Sequence, residues 1–101
     1  MKTLRFKRGS TFAADCTISQ TASIENLNDV TITSSIEDSE GKLHSAIVTI
    51  INSNDRTFKV YISNTTRFSL GSAMWDIKLS RSGVVFYSET VEIIIVKQIT
   101  P

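Results

Sequence analysis

The stretch Ser72-Ala73-Met74-Trp75-Asp76-Ile77-Lys78-Leu79-Ser80 decides the fold class. Apolar and polar side chains alternate along it without a break. Ala73, Trp75, Ile77 and Leu79 fall on one side, and Met74, Asp76 and Lys78 on the other. Side chains repeat every two residues along a strand and every 3.6 along a helix. The stretch is therefore a strand with one face turned to a core. Trp75 is predicted in that core, not as an exposed platform for a sugar or a partner.

The same alternation extends outward in both directions. It predicts strands over residues 2–7, 11–19, 30–37, 43–51, 57–62, 72–80 and 84–97. Phe12, Ala14, Cys16 and Ile18 face inward on the second, and Phe58, Val60 and Ile62 on the fifth. Ile24, Leu27, Phe68 and Leu70 are read as anchors that pin connecting loops to the core. Faces blur at Ala46-Ile47-Val48. The last run is long for a strand, and Glu89 interrupts its inward set of Val85, Tyr87, Val91, Ile93 and Ile95. A bulge or break at residues 88–90 resolves that conflict.

Turns separate these runs. All four glycines, Gly9, Gly41, Gly71 and Gly83, lie between alternating segments, where a positive φ is needed at little steric cost. Composition agrees: Ile and Val number 20, Ala and Leu 10, and Thr adds 12. β-branched side chains lose rotamer freedom in helices and pack well on a pleated sheet. Seven short strands in 101 residues predict one all-β domain over residues 1–101. The expected form is an antiparallel β-sandwich of immunoglobulin-like type, with a small barrel as the alternative.

The formal net charge is +1, which argues against a dedicated nucleic-acid or polybasic membrane binder. The apolar run Ile93 to Val96 is far too short to cross a bilayer. The opening residues show no secretion signal. One cysteine cannot form an internal disulfide. On the inner face of its strand, Cys16 is expected to act as a small hydrophobe.

Little in the chain suggests catalysis. His44, the one histidine, is expected to be a solvated residue beside the Asp38–Lys42 turn. Glu37, Asp38 and Glu40 lack the ligand spacing of a calcium loop. Gly41-Lys42 lacks the glycine-rich lead-in of a phosphate loop. No cofactor, metal or small-molecule substrate is expected, and no enzyme activity.

Charge layout carries more information. Lys2, Arg5, Lys7 and Arg8 crowd the first strand. Residues 9–41 then hold six acidic side chains and no basic ones. Two readings stand side by side. The basic strand is an edge guarded against aggregation, or the molecule is dipolar and docks through complementary patches. The candidate contact surface is Lys2, Arg5, Lys7 and Arg8 with the turn residues Asp38, Glu40 and Lys42. Met74 and Tyr61, on outer faces, are further contact candidates.

Three segments also resemble a family of small phage and prophage proteins. They are Lys7-Arg8-Gly9-Ser10-Thr11-Phe12, the hairpin from Ile36 to Lys42, and the run from Leu70 to Ile77 with the closing residues 89–96. That family includes the N-terminal immunoglobulin-like module of siphophage baseplate upper proteins. The resemblance implies a non-catalytic virion structural or assembly part, of the tail or baseplate. Its partners would be other virion proteins and further copies of itself, and its location the virion or the bacterial cytoplasm during assembly. A carbohydrate-binding or adhesive sandwich is the competing expectation, and it requires exposed aromatics.

Overall fold

The computed structural model describes residues 3–18 and 25–100. Among the described residues nine strands form: β1 (Thr3–Lys7), β2 (Phe12–Thr17), β3 (Thr31–Glu37), β4 (Leu43–Ser45), β5 (Ile47–Asn52), β6 (Thr57–Ile62), β7 (Gly71–Arg81), β8 (Val84–Tyr87) and β9 (Val91–Val96). No described residue is helical.

Two sheets stack as a sandwich. The larger runs β1-β9-β7-β3-β4, with β8 also paired to β7; the smaller runs β2-β6-β5. The order β9-β7-β3 over β2-β6-β5 is that of the two sheets of an immunoglobulin-type sandwich. The sheets do not close into a barrel.

Two expectations are corrected, and the expected break at residues 88–90 is found. Nine strands form instead of seven, because two long runs each split. The run over 43–51 divides at Ala46: β4 pairs with β3 in the large sheet, while β5 pairs with β6 in the small one. The blurred faces at Ala46-Ile47-Val48 mark this crossing between sheets. The run over 84–97 breaks at residues 88–90, where Ser88 N–H donates to the Ile77 carbonyl at 2.8 Å. The sheets are also not wholly antiparallel, since β1 lies parallel to β9.

The core lies where the inner faces meet. Ala73, Trp75, Ile77 and Leu79 of β7 are all buried, as are Phe58, Val60 and Ile62 of β6. Burying one such large aliphatic or aromatic side chain stabilises the fold by about 1.5–3 kcal/mol. Phe12 and Trp75 meet edge to face between the sheets, with ring centroids 5.1 Å apart. They are contributed by β2 and β7, the strands that correspond to the disulfide-bearing pair of antibody domains. An aromatic contact thus spans the gap that a disulfide closes there.

The loop anchors divide. Leu27 and Phe68 are buried, but Leu70 is exposed. Ile24 lies outside the described residues. Two inward assignments on the last run also fail: Val85 and Tyr87 are exposed. They sit on β8, in the β7–β8 arm, opposite Ser80 and Lys78 of β7, and so turn to the outer face. The break at residues 88–90 reverses the alternation, and Phe86, opposite the buried Leu79, takes the inner side. The molecule is 45 Å long against 22 and 20 Å across.

Candidate functional site

The basic strand and the acidic turn occupy opposite edges of the large sheet. β1 is one edge and the β3–β4 hairpin the other. Arg5 and Lys7 are exposed on β1, and Arg8 just beyond it is half-buried. Lys2 lies outside the described residues. Glu37 and Glu40 are exposed at the far edge. The charge separation seen along the chain therefore becomes a separation across the sheet.

Asp38 is not a surface residue. It is 4% exposed, and its carboxylate organises the hairpin tip. Oδ1 accepts from the N–H groups of Glu40 and Lys42 at 3.0 and 3.1 Å. Oδ2 accepts from Ser69 N–H at 3.2 Å and lies 2.8 Å from His44 Nε2. An aspartate bonding its own backbone two residues on is a common turn device. Here the second oxygen also ties the hairpin to the segment between β6 and β7.

Burial by itself would raise the Asp38 carboxyl. The hydrogen bonds from His44, Ser69, Lys42 and Glu40 outweigh it and hold the group well below the usual carboxylate range. Lys42 adds little: its Nζ is 4.0 Å from Asp38 Oδ2, on an exposed side chain. That ammonium donates instead to the Arg67 carbonyl at 3.3 Å.

His44 is also not solvated. Its ring stacks on Phe68 with centroids 3.9 Å apart, and its side chain is only 16% exposed. Local sequence suggested a turn residue; the distant Phe68 and the buried carboxylate make it part of the packing. The Asp38–His44 contact clamps the hairpin tip to the segment that carries Phe68 and Ser69. Among the described residues, no group of three or more His, Cys, Asp or Glu side chains is placed to hold a metal ion.

Cys16 is partly buried on the inner side of β2. Burial, then the Asp15 charge, pushes its thiol above the ordinary value. Such a thiol is a poor nucleophile at neutral pH. Trp75 is buried as expected, with its indole N–H donating to Ser34 Oγ.

The arm escaped the sequence reading. Val84, Val85, Phe86 and Tyr87 are consecutive, apolar and exposed, Tyr87 at 65%. Their signal in the chain is an uncharged apolar run directly after a turn, which reads equally well as a buried strand. Leu43 on β4 and Ile47 and Ile51 on β5 are also exposed.

No protein-family model matches the chain, and no curated protein is detectably similar to it.

Proposed function

We propose that this chain is a non-catalytic protein–protein contact module of a phage or prophage virion, in the tail or baseplate. The β7–β8 arm carries the contact part of the reading. Val84, Val85, Phe86 and Tyr87 leave apolar area exposed on both faces of one hairpin, a surface suited to contact with another protein. The virion part rests on the resemblance of the three segments quoted above to the small phage and prophage proteins. The immunoglobulin-type strand order agrees with it. Fold alone hosts many functions, so the test must be made on particles.

The adhesive reading is weakened by Trp75. Its ring is in the core and its N–H is already bonded, which leaves Tyr87 as the one strongly exposed aromatic among the described residues.

The experiment is mass spectrometry of gradient-purified particles from a strain that carries the gene. The chain is expected at a fixed ratio to the major tail protein. Its absence from intact particles overturns the virion reading.

A further inference from the structure

We infer that two copies of this chain join head to tail, the β1 edge of one adding to the β4 edge of the next and extending the large sheet. This names a partner within the contact role proposed above, and rests on that role. Three independent features of the two edges match at once.

The first is backbone direction. Arg8 N–H donates to the Val96 carbonyl, so alternation along a parallel pair also turns Phe6 and Leu4 toward β9. The N–H and C=O groups of Thr3 and Arg5 and the N–H of Lys7 then point to the free edge, while the Lys7 carbonyl accepts from Ser10 N–H. In the hairpin, Asp38 N–H donates to the Lys42 carbonyl and Ala46 N–H to the Ser34 carbonyl. Leu43 and Ser45 therefore turn their backbone groups away from β3. Each edge offers unpaired groups on alternate residues, as an added strand needs.

The second is register. β1 runs with β9, β9 against β7, β7 against β3 and β3 against β4. A copy placed in the same sheet orientation therefore meets β4 with an antiparallel β1. Setting Arg5 opposite Leu43 puts Thr3 opposite Ser45. All four side chains are exposed on the outer face, as directly opposed residues must be.

The third is charge. In this register the Arg5 stem covers Leu43, which is 69% exposed, and its head reaches Glu37, the residue paired with Leu43. Lys7 comes beside the tip at Glu40. Within one molecule none of these four charges is in an ion pair with a described residue. The tip's own cation, Lys42, is turned to the Arg67 carbonyl. Pairing β1 with another β1 would set arginine and lysine against each other, so charge selects the head-to-tail contact over the two-fold one. Such contacts repeat, closing into a ring or continuing as a filament.

Two short edges bury less than the roughly 1,000 Å² of a stable interface. Association is accordingly weak, dependent on concentration and screened by salt. Sedimentation velocity of the full chain over a concentration series tests this at low and high salt. The mean mass is expected to rise with concentration at low salt and to fall back to monomer at high salt. R5E/K7E and E37K/E40K are each expected to remain monomeric while melting as the wild type does. An equimolar mixture of the two restores opposite charge at every contact and is expected to assemble again. A wild type that stays monomeric at low salt overturns the inference. So does a mixture that fails to assemble from two folded variants, or assembly that persists in both, which would assign the contact to the apolar arm. The particle experiment separates the two claims. A monomeric chain found in virions keeps the virion reading and loses this one. A self-assembling chain absent from particles does the reverse.

Discussion

The indole N–H of Trp75 donates to Ser34 Oγ across adjacent strands at 2.6 Å. The serine hydroxyl in turn donates to the Asp76 carbonyl at 2.8 Å. Both side chains are buried, so every polar atom of the pair finds its partner inside the protein. Removing one partner leaves the other desolvated and unbonded, at a cost of about 1–3 kcal/mol. Ser34→Ala is therefore expected to lower the unfolding free energy by that amount and the urea midpoint with it. An unchanged midpoint would mean that water reaches the indole.

Asp38 gives a signed dependence on pH. Its carboxyl titrates lower in the folded chain than in the unfolded one. The stability it contributes is complete above the unfolded value of about 4 and is lost as pH falls below that toward the folded value. Asp38→Asn is expected to cost roughly 3 kcal/mol at neutral pH, since a buried, multiply bonded charge is removed. The denaturation midpoints of variant and wild type should converge as pH drops from about 4 toward 2. A gap that stays constant over that interval would contradict the assignment.

The arm is closed by Ser82 and Gly83, at φ of 51° and 81°. Positive φ at both central residues is the type I′ hairpin signature, and asparagine followed by glycine suits it best. Ser82→Asn is expected to raise thermal stability by a few tenths of a kcal/mol. Gly83→Ala meets no atom within 4 Å but strains the backbone, costing about 1 kcal/mol. Calorimetry of the two variants should show shifts of opposite sign.

Cys16 should react slowly with a thiol reagent in the native protein at neutral pH, and rapidly once urea exposes it. Burial and the Asp15 charge both disfavour its thiolate. Equal rates in the two states would place the thiol in solvent.

The strands could be read from the chain where burial follows a local rule. β6 was bounded to the residue, and the four inward side chains of β7 were all identified, because period-two alternation records which face meets a core. Even the crossing at Ala46 left a trace, as a blur in the pattern. His44 and Asp38 could not be read this way. Their burial depends on Phe68 and Ser69, 24 and 31 residues away in sequence, which no local window contains. Val85 and Tyr87 failed for a different reason: the break at residues 88–90 shifts the alternation by one, so they lie opposite Ser80 and Lys78 on the outer face while Val91 and Ile93 beyond it face inward. The charge segregation was visible in sequence, while its placement on opposite edges required the sheet order.

The parallel pairing of β1 with β9 has a mechanical consequence. Thr3 lies beside Glu92 at one end of the pair, and Lys7 beside Val96 at the other. Tension applied at Thr3 and Val96 pulls the two strands lengthwise past each other. Their hydrogen bonds then share the load and must rupture together, where a hairpin pulled from its open end would yield one bond at a time. The protein is built to be stiff along the line that joins its first strand to its last.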